Sequence, residues 1–152
     1  MTITFFGHSD YKATNYHREK MIQVLSKLCS GEKVFFYLGS YGAFDEFAYN
    51  CCCEIKMKYP KTELIFITPY ITEHYQKNHL RCLKEKYDGI VYPEIENVPL
   101  RYAISARNKW MVEKSDLVIA YVNHSWGGAF SACRVAKAKG KKIINIGTYD
   151  FK

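Results

Sequence analysis

The sequence predicts an α/β fold with a mostly parallel sheet of about six strands and helices on both faces of that sheet. Short runs of β-branched and aromatic residues alternate along the chain with longer segments of helical period. Glycine, proline or a short polar residue frames each helical segment. Such alternation favours right-handed crossovers between parallel strands, so the prediction is a Rossmann-like three-layer domain.

Six runs carry the strand pattern and four segments carry the helical one. The predicted strands are residues 3–6, 34–38, 64–68, 90–92, 117–122 and 143–146. The predicted helices are residues 15–29, 43–59, 100–114 and 128–139. Residues 70–87 have only a faint helical pattern, and we interpret them as a connection near the ligand site. No repeat or linker-like stretch interrupts the chain, which predicts a single domain over residues 1–152.

Composition limits the class of protein. No apolar run approaches the ~20 residues that a membrane span requires, and the first residues lack the features of a signal peptide. Three of the six cysteines are consecutive, which favours reduced thiols over a disulfide framework. We therefore expect a cytoplasmic protein with no metal site and no cofactor beyond its ligand. The net charge of +7 favours anionic partners, but the basic residues are dispersed and carry no nucleic-acid-binding signature.

Three strand-to-helix junctions have unusual sequences, at residues 6–9, 38–45 and 121–129. In a doubly wound sheet, ligands bind beyond the carboxyl ends of the strands, where these junctions lie. Gly127-Gly128 is the best candidate for a phosphate cradle, because glycine lets an anion approach the amides that begin a helix. The segment Gly39-Ser40-Tyr41-Gly42 is a second candidate that shapes the pocket wall, although tight turns alone would also explain such glycines. The chain lacks both G-x-G-x-x-G after its first strand and the G-x-x-x-x-G-K-[ST] loop, so neither a standard dehydrogenase nor a P-loop ATPase is predicted.

One charge stands on an apolar helix face. In the predicted helix 100–114, Arg107 shares a face with Leu100, Ile104 and Met111. A buried guanidinium requires compensation, so Arg107 should meet either a protein carboxylate or an anionic group of a ligand. Under either alternative, Asn108 beside it is a candidate to cap a backbone group or to orient the guanidinium.

Aromatic and histidine side chains occur on the same junctions. Trp126 lies in a turn between Ser125 and two glycines, which makes it the preferred residue for stacking on a base, with Tyr41 as another candidate. His8 and His124 lie on different junctions, where they either meet over a ligand or stabilise their own turns.

The order of these motifs resembles the SLOG superfamily of Rossmann-like proteins, which includes the Lonely Guy phosphoribohydrolases and the DNA-processing protein DprA. The likeness extends from Ile3 to about Ile146 and is greatest to small, uncharacterised bacterial and phage members. It is carried by Gly7-His8, the segment 39–45, Tyr92-Pro93, the segment 107–111 and the segment 123–129.

The resemblance implies an arginine and an acid for cleavage of an N-glycosidic bond. Arg107 matches the arginine of the Lonely Guy enzymes, whereas the position of their catalytic acid holds Arg134. An arginine there would oppose the positive charge that develops during cleavage. Asp45, Glu46, Glu94 and Glu96 are the candidates for a replacement carboxylate, although Asp45 also suits a helix cap.

Three functions follow as hypotheses. The first is binding or sensing of a nucleotide or nucleotide-derived ligand, the second is a nucleoside 5′-monophosphate phosphoribohydrolase, and the third is a DNA-associated protein like DprA. Because superfamily members often self-associate, a homo-oligomer is compatible with the resemblance. The residues predicted to contact the ligand are Gly7, His8, Gly39, Ser40, Tyr41, Gly42, Asp45, Arg107, Asn108, Asn123, Ser125, Trp126, Gly127 and Gly128.

Overall fold

A parallel sheet organises the chain, and the computed structural model describes all residues from 1 to 152. Its strands are β1 (Thr2–Gly7), β2 (Phe35–Leu38), β3 (Glu63–Ile67), β4 (Gly89–Val91), β5 (Leu117–Tyr121) and β6 (Lys142–Asn145). They lie in the order β4-β3-β2-β1-β5-β6, and every neighbouring pair is parallel. The predicted α/β fold with six strands is confirmed.

Five helices connect the strands. They are α1 (Asn15–Cys29), α2 (Ala43–Lys58), the irregular helix α3, α4 (Ala103–Lys114) and α5 (Gly128–Ala138). Helix α3 consists of three consecutive pieces, namely Glu73–Tyr75, a π-helical turn at Gln76–Leu80, and Arg81–Leu83. The four helices predicted from the sequence are all present, and for three of them both the first and the last residue lie within one residue of the predicted bounds.

The helices cover both faces of the sheet because successive strand residues point to opposite sides. Ile3 and Phe5 of β1 lie in one core with the buried residues of α1 and α2. Phe6 of the same strand lies in a second core with α4 and α5. The result is the three-layer arrangement that the alternating pattern predicts.

Helix α3 explains the faint pattern of residues 70–87. Only Leu80 and Leu83 of this helix are buried, and they pack against Phe66 of β3. The π-helical turn advances the chain by about one extra residue per turn, which breaks the period of 3.6 that an amphipathic helix leaves in a sequence. A helix that buries two side chains across such a turn has little periodicity to detect.

The start of α4 differs from the prediction. The helix expected from residue 100 begins as a 3₁₀ turn, Leu100–Tyr102, and becomes α-helical only at Ala103. Pro99 precedes this turn, and no residue of the turn is buried. Without apolar packing, the first residues take the tighter turn that is common at helix ends.

The connections reverse direction at β1 and β5. Helix α1 leads from β1 to β2 on one side, whereas α5 leads from β5 to β6 on the other. The two strands are adjacent, with Gly7 at the end of β1 opposite Tyr121 at the end of β5. Such a reversal opens a crevice at the carboxyl ends of the strands, where ligands of doubly wound folds bind.

The cysteines and the helices give two further findings. All six cysteines are free thiols, as predicted, and Cys51 and Cys52 are buried while Cys53 is half-buried. None of the helices combines the length and the apolar character needed to span a bilayer.

Gly7 is required by the packing of α2 at this crevice. A Cβ atom at this position would overlap the side chain of Phe44, which is buried in the core. We expect Gly7→Ala to lower the free energy of unfolding by about 1–3 kcal/mol, as measured by urea denaturation. Gly31→Ala is the matched control, because nothing lies within 4 Å of its added Cβ. Equal stability of the two variants would contradict the packing role.

Candidate functional site

A cavity of about 490 Å³ lies in the crevice at the ends of β1, β2 and β5. This volume is in the usual range for small-molecule sites. Helix α4 forms one wall, and the amino end of α5 lies at another. The residues that line it are Phe5, Phe6, Gly7, His8, Ser9, Asp10, Gly39, Tyr41, Asp45, Ile104, Arg107, Asn108, Met111, His124, Trp126, Gly127, Gly128 and Ala129.

Most of the predicted ligand-binding residues meet in this cavity, although their junctions are far apart in sequence. Those that line it are Gly7, His8, Gly39, Tyr41, Asp45, Arg107, Asn108, Trp126, Gly127 and Gly128. Ser40 and Gly42 instead line a neighbouring depression beside α3. Their backbones are unusual, because both have positive φ angles, 58° and 95°. These two residues shape the loop that carries Tyr41.

Asn123 and Ser125 do not line the cavity. The side-chain oxygen of Asn123 accepts hydrogen bonds from the backbone N–H and the hydroxyl of Thr148, and its amide donates to the Tyr121 hydroxyl. The backbone N–H of Asn123 donates to His8 Nε2 over 2.9 Å. In this structure Asn123 therefore links the β5 loop to its neighbours.

Two polar residues of the cavity, Ser9 and Asp10, were not predicted. They directly follow Gly7-His8 at the end of β1, and both are exposed. Their position after the central strand was the available signal. Asp10 places a carboxylate in the cavity that none of the sequence motifs marks.

Arg107 is compensated by backbone carbonyls. Only 3% of this residue is exposed, and its Nη1 donates to the carbonyls of Gly39 over 2.9 Å and Ile67 over 3.0 Å. These carbonyls lie just beyond β2 and at the last residue of β3. The Nε atom donates to the side-chain oxygen of Asn108, so Asn108 orients the guanidinium. Neither a protein carboxylate at ion-pair distance nor a ligand is needed to satisfy these donors, whereas Nη2 has no hydrogen-bond partner.

Gly39 is part of the same arrangement. A Cβ atom at residue 39 would lie 3.1 Å from Nη2 and 3.2 Å from Nη1 of Arg107. This separation is too short for a side chain to be placed without moving the guanidinium. The glycine therefore permits the close approach of Arg107 to the strand ends.

Asp45 and Tyr41 surround the guanidinium at longer range. The guanidinium carbon of Arg107 lies 5.4 Å from the centre of the Tyr41 ring. Burial raises the pKa of Asp45 to about 6, and this effect is partly opposed by the Tyr41 N–H, which donates to Oδ2 over 2.7 Å, and by Arg107. Burial also lowers the pKa of Arg107, while Asp45 opposes that shift. The cavity thus contains a carboxyl group whose pKa is raised by burial above that of an exposed aspartate.

Three rings form a stack at the other side of the cavity. The His8 and His124 rings lie 3.6 Å apart at 13°, and the His124 and Trp126 rings lie 3.5 Å apart at 16°. His8 is buried, and its Nε2 accepts the Asn123 N–H, which leaves its proton on Nδ1. His124 Nδ1 lies 3.1 Å from the Trp126 carbonyl. The two histidine rings therefore contact each other, while His124 bonds within its own loop and His8 bonds to the loop after β5.

Burial is the main cause of the lowered pKa of His8. The neighbouring His124 lowers this pKa further, whereas Asp10 raises it. A neutral His8 keeps Nε2 available to accept the Asn123 N–H, and this bond anchors the inner end of the stack. Trp126, at the outer end, is 66% exposed.

The two glycine loops differ in charge. Helices α2 and α5 both begin after a glycine with positive φ, 95° at Gly42 and 93° at Gly127, and neither has a side-chain cap. The first turn of α2 contains Asp45 and Glu46, whereas the first turn of α5 contains no acidic residue. The free N–H groups at the start of α5 therefore have no carboxylate in their own helical turn, which favours an anion at that position.

The remaining charged candidates lie outside the cavity. Arg134 is exposed on α5, with its guanidinium carbon 5.9 Å from the centre of the Phe130 ring. Glu46, Glu94 and Glu96 do not line the cavity either. Among the carboxylates proposed from the sequence, only Asp45 reaches it. No group of three or more His, Cys, Asp or Glu side chains has the arrangement of a metal site.

The buried bonds of Arg107 give a stability prediction. Arg107→Met retains much of the side-chain volume but leaves two carbonyls without their donor, so the free energy of unfolding should fall by about 2–5 kcal/mol in urea denaturation. Arg101→Met, at an exposed position before α4, should change it by less than ~0.5 kcal/mol. A similar small effect of Arg107→Met would show that the carbonyl bonds contribute little.

Comparison with protein-family models gives no match, and comparison with curated proteins gives none either. Solved structures do match. The DNA processing protein A of Helicobacter pylori, described with its single-stranded DNA binding mode, has a TM-score of 0.64 and 19% identity over 100% of this chain and 67% of its own.

Two further structures have similar scores. The molybdenum cofactor binding protein of Rippkaea orientalis has a TM-score of 0.61 and 19% identity over 97% of this chain and 77% of its own. DprA of Streptococcus pneumoniae has a TM-score of 0.62 and 13% identity over 98% of this chain and 52% of its own. At these identities the likeness establishes a shared Rossmann-like fold.

Proposed function

We propose that this chain is a SLOG-like module that binds a nucleotide or a nucleotide-derived ligand in the cavity at the ends of β1 and β5. The observation that carries the proposal is the amino end of α5, which has no cap and no acid and lies on the same cavity as Trp126. Amide donors at Gly128 and Ala129 suit a phosphate, and the indole suits an aromatic base.

Arg107 has a positioning role in this proposal. Its guanidinium holds the ends of β2 and β3 and the Tyr41 loop, and Nη2 is the one terminal nitrogen left to donate toward a ligand. The fold neighbours are named for binding single-stranded DNA and the molybdenum cofactor, so proteins of this fold bind phosphate-containing polymers and small cofactors alike. The cavity volume and its enclosed polar groups favour the small molecule.

A thermal-shift screen with nucleoside mono-, di- and triphosphates, cyclic nucleotides and NAD-derived compounds tests this proposal. A ligand at about 100 times its Kd adds ~2.7 kcal/mol of stability, which corresponds to a Tm increase of about 5–10 °C for a chain of this size. Gly128→Asp should abolish the shift, because its carboxylate repels the phosphate. The same substitution should leave the Tm of the free protein unchanged or slightly higher. Its negative charge interacts favourably with the positive amino end of the helix dipole, and its Cβ atom meets no atom within 4 Å.

Gly31→Asp adds the same charge in the loop before β2, at the amino ends of the strands and away from the cavity, and should retain the full shift. If no compound stabilises the wild-type protein, the small-nucleotide proposal is wrong. Salt-dependent binding to single-stranded DNA would then be the next function to test.

A second candidate function is hydrolysis of the N-glycosidic bond of a nucleoside 5′-monophosphate. The observation that favours it is the presence of two carboxyl groups in the cavity, Asp10 and Asp45, together with the position of Arg134 outside it. The charge of Arg134 therefore does not oppose a cationic intermediate within the cavity, which was the main objection from the sequence.

The two carboxyl groups have environments suited to different roles. Asp45 is the acid in this scheme, because burial raises its pKa to about 6, and it donates a proton to the base nitrogen as the C1′–N bond breaks. Asp10, which is exposed, accepts a proton from the water whose oxygen bonds to C1′. The products are the free base and ribose 5-phosphate.

Hydrolysis should depend on pH through Asp45. The protonated fraction of Asp45 falls as the pH rises through about 6, so the rate should fall about tenfold per pH unit above that value. Asp10→Asn should abolish release of the free base, measured by chromatography, while the thermal shift is retained. A wild-type protein that shows the shift but releases no base at pH 5–8 would be a binding module without this activity.

A further inference from the structure

One face of α4 runs from the core to the mouth of the cavity. Its exposure rises in steps along the face, from 0% at Met111 and 3% at Arg107 to 38% at Ile104, and Leu100 in the preceding 3₁₀ turn is 67% exposed. Ile104 lines the cavity, and Leu100 lies one turn further out. The apolar face of α4 therefore reaches the cavity at Ile104, which the protein covers only in part.

Trp126 lies on the same cavity and is also uncovered. Its one ring neighbour is His124, so the indole has a single ring-stacking contact in the protein. The stack beneath it is anchored by His8, whose Nε2 is held by the Asn123 N–H. An aromatic ring fixed in this way loses little conformational freedom when a ligand binds to it.

The exposure of both Ile104 and Trp126 on one cavity differs from ordinary exposure of apolar residues at a protein surface. Met57 is 87% exposed and Tyr16 is 68% exposed, but neither lines the cavity, and single exposed apolar residues are normal. Ile104 and Trp126 come from α4 and the β5 loop, and both lie on one concave surface next to the amino end of α5. Two apolar side chains at such a place suit a flat apolar group between them.

We propose that Ile104 is a specificity-determining residue that packs on one face of the ligand's aromatic base, with Trp126 on the other face. This inference rests on the proposed nucleotide-binding function. Since Trp126 directly precedes Gly127-Gly128, the ring and the phosphate are bound by adjacent residues. The ligand class is thus an aromatic base joined to a phosphate by a short linker such as one ribose.

Calorimetric titration of the full chain with AMP, UMP and ribose 5-phosphate tests the assignment. The wild-type protein should bind AMP more tightly than UMP, because the larger ring buries more apolar area, and ribose 5-phosphate most weakly. Ile104→Ala should weaken AMP binding by about fourfold to fifteenfold, as expected for the loss of one or two carbon atoms that the base buries. It should leave the Kd of ribose 5-phosphate unchanged, since that compound has no base.

Met57→Ala is the matched control, because it removes an exposed apolar side chain of similar size on α2, away from the cavity. It should leave every Kd unchanged. If Ile104→Ala leaves AMP binding intact, or weakens AMP and ribose 5-phosphate equally, the assignment of Ile104 is wrong while nucleotide binding stands. If the wild-type protein binds none of the three compounds, the proposed function fails for monophosphates and this inference fails with it.

Discussion

The buried guanidinium of Arg107 is the contact on which the geometry of the cavity depends. It joins α4 to the carbonyls of Gly39 and Ile67, at the ends of two neighbouring strands. Carbonyl groups at strand ends have no further strand residue to pair with, so the arginine satisfies acceptors that would otherwise need water. The same group lies against Tyr41 and within the field of Asp45. Moving Arg107 would therefore displace the loop after β2, one wall of the cavity and the carboxyl group whose pKa it helps to set.

With that wall in place, charge distinguishes the two helix ends that begin after a glycine. Helix α2 has Asp45 and Glu46 in its first turn, so its dipole is already opposed by the protein's own carboxylates. Helix α5 has none, and it follows directly from the loop that carries the ring stack. The two helices thus start after glycines with similar φ angles but differ in the charge of their first turns. One loop supports the wall of the cavity, while the other presents unopposed donors to it.

The sequence predicted which segments form the strands and four of the helices, because each depends on local pattern and on turn residues. It also identified Arg107, since a charged residue at the helical spacing of apolar residues can be recognised from the sequence alone. The carbonyl partners of Arg107 were not predictable, because backbone acceptors have no sequence signature and these two lie 68 and 40 residues away. Helix α3 was missed because its π turn removes the usual period. Asp10 was missed for a related reason, since only the sheet order places the end of β1 beside β5.

Several features around the cavity are unfavourable for folding when taken alone. Asp45 is buried enough to raise its pKa, α5 begins without a cap, and Trp126 and Ile104 expose apolar surface. A sequence selected only for stability would use a serine or aspartate before α5 and polar residues at the rim. Natural proteins depart from such local rules mainly at functional sites. Under the proposed function, a bound anion with an aromatic group would compensate the free amides and cover the apolar rim at once, so the proposal gives these departures one common physical explanation.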